Sequence, residues 1–421
     1  MKWQVTGQVK WRMKWRRRAL LLLLTLLGLA HAEPGALLSS EFVARYSAAE
    51  VGEAVARLYP RGTARGVQYA VDGYYLRYRS RDERGESVEI LAQLYLPVLT
   101  ETASLPIYAV AVGTTGLSDG CAPSLERPGV SNWGDYSAQA LAYAGQGYIA
   151  VLPDPAGFGD PDRVARYFVA QASAQVLLDA VRAVYGFFEE VGGSELALRP
   201  AEAVFLGGYS QGGNSVFAAA DMASDYAPEL SLSGIIGYGP TTDVAAMLRA
   251  NPYFAPYLVY AYREVYGEDR VDPGALLEPD VADSLEEDVM NRCVDVIFSF
   301  YGSDPAGVFD SGFLEALEAD SFGGAYAPFG ELLAENSSGL SGSSVPALVF
   351  QGTADTIVTP AQQEGFARRA CLAGAHITYV SYSNVEHFQT RQFGFRDSLS
   401  WMASLIGGDE PRDDCSRFAG D

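Results

Sequence analysis

A serine, a histidine and an aspartate in this chain stand where they could act together on a carbonyl carbon. Ser210 lies in Gly208-Tyr209-Ser210-Gln211-Gly212, between the short apolar run Ala203-Val204-Phe205-Leu206 and an Ala-rich segment of helical spacing. Strand, sharp turn and helix in that order make a nucleophile elbow, in which glycines on either side let strand and helix approach closely while the serine stands clear of its own backbone. The N–H of Gln211 opens the helix and is placed to stabilise an oxyanion. With 44 glycines in 421 residues the pattern also recurs by chance, and Gly116-Leu117-Ser118-Asp119-Gly120 matches it. Cys121-Ala122-Pro123-Ser124 and Pro128 follow that second copy, so no helix can start there and context selects Ser210.

A serine is a weak nucleophile until a base takes its proton. Beyond residue 32 only His376 and His387 remain. His376 begins an alternating strand and reads as a packed or hydrogen-bonded strand residue. His387, in Ser383-Asn384-Val385-Glu386-His387-Phe388, falls just past that strand, where the last member of a nucleophile, acid, base order belongs. The acid should follow an intervening strand, and Val349-Phe350-Gln351-Gly352-Thr353-Ala354-Asp355 puts Asp355 in the loop directly after one. Its task is to hold the imidazole tautomer and stabilise the imidazolium; the bland alternative is an aspartate closing a turn. Glu386 is a weaker candidate, because in extended chain it points away from its neighbour's side. A second oxyanion donor is expected in Gly113-Thr114-Thr115-Gly116, with the Thr114 N–H as the choice.

These residues need a scaffold. Ala48 to Tyr59 reads as a helix, and Gly66 to Val98 as a hairpin turning at Asp82-Glu83-Arg84-Gly85. Apolar runs at Ile107–Val112, Tyr148–Leu152, Leu232–Tyr238, Ala347–Gln351 and His376–Tyr382 alternate with helical patterns at Asn132–Gly145, Pro161–Glu190, after Ser210, and from Pro360. Nearly continuous apolar strands between helices mean a sheet covered on both faces, so the class is α/β with a mostly parallel sheet. Thr242 to Ser343 breaks the rhythm with Tyr, Phe, Pro, Gly and short amphipathic segments such as Asp310–Ala319. It reads as an inserted, mainly helical cap over residues 242–344, leaving 33–241 and 345–421 as the core. Within it, Pro252 to Tyr260 could line an apolar substrate tunnel or simply pack the cap.

Residues 1–32 read as an export signal: basic residues ending in Arg16-Arg17-Arg18, an apolar core from Ala19 to Leu29, and the small-x-small site Ala30-His31-Ala32. An uncleaved anchor is the other reading. Seven of the 30 basic side chains and none of the 52 acidic ones lie there, leaving 23 against 52 and a formal charge of −29. Such a surface repels nucleic acid and anionic membranes. Export to an oxidising compartment makes two disulfides plausible among Cys121, Cys293, Cys371 and Cys415; Cys121 with Cys293 and Cys371 with Cys415 is favoured among three connectivities, free thiols being the alternative. No metal cluster, phosphate loop or dinucleotide fingerprint is present, so no cofactor is implied.

At these motifs the chain resembles the secretory lipase family of α/β-hydrolases. The resemblance is carried by Gly113-Thr114-Thr115-Gly116, Cys121-Ala122-Pro123-Ser124, Asp154-Pro155-Ala156-Gly157-Phe158-Gly159, Gly208 to Gly213, Asp355 and His387. It implies an α/β-hydrolase fold and hydrolysis of carboxylic esters, commonly acylglycerols, beneath a cap. One departure is Ala111-Val112-Gly113, where many similar bacterial hydrolases carry His-Gly. The expectation is an exported serine ester hydrolase, secreted or periplasmic, meeting a small-molecule or lipid ester, with transient lipid-interface contact and no obligate protein partner. A serine peptidase and a non-catalytic binding protein of the same fold are the rivals.

Overall fold

The computed structural model describes residues 33–59, 66–126, 132–190 and 196–418. The export signal expected at residues 1–32 lies outside them. Nine strands form one sheet in the order β1-β2-β3-β5-β4-β6-β7-β8-β9. The antiparallel end holds β1 (Leu37–Tyr46), β2 (Val71–Arg81) and β3 (Ser87–Pro97), and β3 pairs antiparallel with β5 (Ile149–Pro153). From there β4 (Ala103–Ala111), β6 (Leu198–Tyr209), β7 (Leu232–Tyr238), β8 (Ala347–Gly352) and β9 (Ile377–Tyr382) run parallel. Helices cover both faces, giving two cores. One lies under the helices Ala170–Glu190 and Gln211–Tyr226, the other under Ala48–Leu58, Tyr136–Ala144 and Thr390–Ile406. Central strands such as β4 and β5 are buried on both sides, which is why their sequences are continuously apolar.

Three local expectations are corrected. The helix expected from Pro161 starts at Ala170. Phe168 is left-handed (φ 50°), and the N–H groups of Ala165 and Arg166 donate to Leu117 and Ala156 rather than along a helix. Arg163 and Arg166 meanwhile bind Asp82 and Glu83 at the β2–β3 turn, so these residues form a tied loop whose periodicity imitates a helix. The helix expected from Asn132 begins at Tyr136, because the Asn132 carboxamide accepts the N–H groups of Gly134 and Asp135, and Asp135 is itself left-handed. Strand β1 has no counterpart among the elements expected from sequence; Phe42 and Val43 are both exposed on it, so it lacks the alternation that marks a strand with one buried face.

Residues 239–346 connect β7 to β8. They are helical, with an isolated bridge between Leu277 and Phe309, and pack as one apolar body with the core under Ala170–Glu190. Disulfides join Cys121 to Cys293 and Cys371 to Cys415.

Candidate active site

Ser210 sits between β6 and the helix Gln211–Tyr226 with φ 54° and ψ −116°, a conformation strained for any residue with a side chain. Hydrogen bonds hold it from three sides: its N–H donates to the Tyr238 carbonyl at 3.1 Å, and its own carbonyl accepts from Gly213 (2.9 Å) and Thr241 (3.0 Å). The neighbouring glycines are steric requirements. A Cβ on Gly208 would lie 1.9 Å from the Gly212 carbonyl oxygen, and one on Gly212 would lie 2.1 Å from that of Ala111. Gln211 opens the helix, so its N–H has no intrahelical acceptor.

His387 follows β9 in a short 3-10 turn, and Asp355 lies in the loop after β8. Their side chains are buried, with Nδ1 of the imidazole 2.8 Å from Oδ2 of Asp355. The other carboxylate oxygen accepts the N–H groups of Ile357 (2.9 Å) and Val358 (2.8 Å), which fixes the carboxylate plane. Gly239 backs the pair: a Cβ there would stand 3.0 Å from Nδ1 and 3.3 Å from Oδ2. The far nitrogen, Nε2, is buried without a hydrogen-bond partner and belongs to the same cavity as Ser210. Glu386 is exposed, while His376 sits on the surface beside Asp413 and takes no part in this cavity. Ser118 stands at the head of a 3-10 turn, not of a helix.

The loop after β4 forms the facing wall. Gly113 donates its N–H to the Tyr136 hydroxyl at 3.0 Å, and the Thr114 hydroxyl pairs with that of Tyr167 at 3.1 Å. The N–H of Thr114 has no hydrogen-bond partner among the described residues. The 239–346 segment is anchored on this loop twice, by the Cys121–Cys293 bond and by the Val294 N–H donating to the Thr115 carbonyl at 2.8 Å. A cavity of about 210 Å³ lies between them, lined by Thr114, Ser210 and His387 and closed by Phe254, Val294, Phe298 and Phe388. Of the run Pro252 to Tyr260, Phe254 alone lines this cavity, and Ala255, Tyr257, Leu258 and Val259 are core.

A family model described as secretory lipase matches residues 138–413. The chain belongs to the secretory lipase family. It is 24% identical over 374 residues to Lipase A of Moesziomyces aphidis, a match that covers 81% of this chain and 74% of that one. Among solved structures it is similar to the ligand-bound rice cell wall degrading esterase LipA of Xanthomonas oryzae, with TM-score 0.69 and 16% identity, covering 89% of this chain and 97% of that one. It is also similar to Candida antarctica lipase A in its closed state, with TM-score 0.64 and 20% identity, over 90% and 84% of the two chains. At such identities the structural likeness carries the α/β-hydrolase fold. For a secretory lipase, two disulfides agree with export.

The structure thus brings Ser210, Asp355, His387, Gln211 and Thr114 to one end of the parallel strands. Sequence reasoning missed the aromatic wall of Trp133, Tyr136, Phe298 and Phe388. Phe388 follows His387 directly and could have been noticed. Tyr136 and Phe298 sit in helical patterns shared with core residues and carry no signal of their own. Among the described residues no group of three or more His, Cys, Asp or Glu side chains is placed to hold a metal ion.

Proposed function

We propose that this secretory lipase is an exported serine carboxylic-ester hydrolase, acting on acylglycerols or other lipid-like esters through an acyl-enzyme. Ser210 Oγ attacks the ester carbonyl, His387 Nε2 takes its proton and returns it to the leaving alcohol, and Asp355 orients the imidazole. The N–H groups of Gln211 and Thr114 stabilise the oxyanion, and water then releases the acid. The observation that carries this reading is the imidazole itself: one nitrogen is 2.8 Å from a buried carboxylate, while the other has no partner in the cavity that the elbow serine lines. No hydrogen bond yet joins Ser210 to His387, as is common before substrate binds. Residues 242–344 act as the cap, and Met1–Ala32 is removed on export. A cavity of about 210 Å³ is smaller than the usual 300–1,000 Å³ ligand pocket, which supports short acyl groups as the first chains admitted in this state.

Purified protein should hydrolyse p-nitrophenyl esters and be labelled by a fluorophosphonate, and Ser210→Ala should lose both. Asp355→Asn should keep the fold and lower kcat by about four orders of magnitude, the scale for a triad aspartate. Ester hydrolysis surviving Ser210→Ala would overturn the mechanism. Aminoacyl anilides cleaved far better than esters would make the protein a peptidase.

A further inference from the structure

Behind the cavity wall lies a buried cation that the mechanism above does not use. Arg391 is 4% exposed and stands one helical turn beyond His387. Its guanidinium lies over the ring of Tyr209 at 4.3 Å and over that of Tyr136 at 4.9 Å, and Nη1 donates to the Gln139 carboxamide oxygen at 3.0 Å. Nε has no hydrogen-bond partner, and no carboxylate among the described residues is within ion-pairing distance. Glu126 attracts the guanidinium only through space, and a buried cation with no direct ion pair and an incomplete set of acceptors is costly, so a methionine or leucine would fill the space more cheaply. What the cation does have is two aromatic faces, and these rings touch the two halves of the site. The Tyr209 ring packs against the His387 imidazole at 5.0 Å. The Tyr136 hydroxyl accepts the Gly113 N–H, and a Cβ on Gly113 would come within 2.7 Å of that hydroxyl, so the loop is seated directly on it.

The base of Tyr136 is held just as firmly. Glu126, 5% exposed, accepts the N–H groups of Trp133 (3.1 Å) and Gly134 (3.0 Å) on one oxygen and of Tyr136 (2.8 Å) and Ser137 (3.3 Å) on the other. The helix Tyr136–Ala144 therefore begins at a fixed point, and Gln139 on that helix receives Arg391. Two chains of contact meet at one guanidinium: Gly113 to Tyr136, and His387 to Tyr209.

We infer that Tyr136 and Arg391 are positioning residues that set the Gly113–Thr114 loop at a fixed offset from His387, so that oxyanion donor and base stay in register. This rests on the serine-hydrolase reading; Arg391 lies outside the cavity lining, and Tyr136 lines the cavity with a ring that Tyr136→Phe retains. Their effect belongs to the transition state, because a displaced donor weakens the developing oxyanion far more than the bound ester.

The test uses the full chain, p-nitrophenyl butyrate and a fluorophosphonate probe. Tyr136→Phe keeps the ring and removes the acceptor; Arg391→Met keeps the length and removes the cation. Each should lower kcat by about tenfold to a hundredfold, the scale of a 1 Å misplacement, with KM within twofold. The rate of phosphonylation, which builds the same oxyanion geometry at Ser210, should fall by the same factor. A merely structural role would leave the folded fraction with wild-type kcat and phosphonylation rate, and that result in either variant overturns the inference. A loss expressed in KM alone also overturns it. Should Tyr136→Phe fail to fold, Arg391→Met carries the test. Ser210→Ala measured alongside separates the two claims: if it is inactive and unlabelled while Tyr136→Phe matches wild type, the positioning inference alone fails, and if it remains active the serine mechanism fails first.

Discussion

Asp154 offers a test of how this fold handles a buried acid. It follows β5 and is 4% exposed, with one carboxylate oxygen accepting the Ser124 N–H at 2.8 Å and the other the Ser124 hydroxyl at 2.6 Å. Burial outweighs these two bonds, nearby Asp119 and Glu126 add negative potential, and the acid is pushed up from 3.8 to about 7. The sign follows from linkage. Between those two values the folded chain holds a proton that the unfolded chain has released, so stability is full near pH 4 and declines as pH rises to about 7. A rise of that size in the acid's pKa corresponds to about 4 kcal/mol lost across the window. Asp154→Asn keeps both bonds, with Oδ1 accepting the Ser124 N–H and Nδ2 donating to its hydroxyl, and it has nothing to titrate. The variant should match wild type near pH 4 and exceed it by about 4 kcal/mol at pH 8. Urea unfolding of both proteins at intervals from pH 4 to 8, disulfides intact, measures this, and the carboxylates that do not interact with Asp154 cancel in the difference. A difference that stays constant across that range, whatever its size, would refute the assignment of a protonated, buried Asp154.

Two further outcomes follow from steric and covalent features. Gly212→Ala places a methyl 2.1 Å from the backbone oxygen of Ala111, which cannot yield as a side chain would. It should destabilise by about 3 kcal/mol and cut kcat at least about a hundredfold, whereas Gly307→Ala, with open space around it, should stay within about 0.5 kcal/mol. Denaturation midpoints and ester kinetics on the same samples decide this. Replacing Cys121 and Cys293 by serine should cost about 1 kcal/mol more than replacing Cys371 and Cys415, because the first bond closes a separation of 172 residues and the second 44. Only the first replacement should also lower kcat per folded molecule, measured by titrating active sites with the fluorophosphonate.

The parts of the fold legible in sequence are those in which one residue answers to one physical demand. Gly208 and Gly212 are forced by backbone approach, Ser210 by the turn between them, and His387 by the scarcity of histidines. The central strands are legible because burial on both faces makes them uniformly apolar. Strand β1 is not, since an edge strand exposing Phe42 and Val43 has no pattern to betray it. The loop from Pro161 to Val169 misleads because its apolar residues pack at helical spacing although their N–H groups find tertiary acceptors. Arg391 illustrates the deepest limit. At the head of a long helix an arginine reads as a solvated residue, and only the fold shows that Tyr136 and Tyr209 enclose it.

The anchoring of the inserted segment bears on how rate and selectivity are related here. Phe254, Val294 and Phe298 line the cavity, and the last two belong to a helix whose first turn is bonded to Thr115 and tied through Cys293 to Cys121. Thr114, the proposed donor, is the residue before that anchor. Displacing this helix to admit a bulkier ester would therefore pull on the loop proposed to hold the oxyanion. An independent lid could change the acyl preference and leave kcat untouched. In this arrangement the first turn of the helix is fixed to the loop after β4, so on the proposed mechanism acyl room is expected from side-chain packing around Phe298, which contacts Phe254 at 5.4 Å and Phe388 at 6.4 Å, or from the distal end of the helix. On the proposed mechanism, acyl selectivity is expected to follow the aromatic side chains of this anchored helix rather than the travel of a free one.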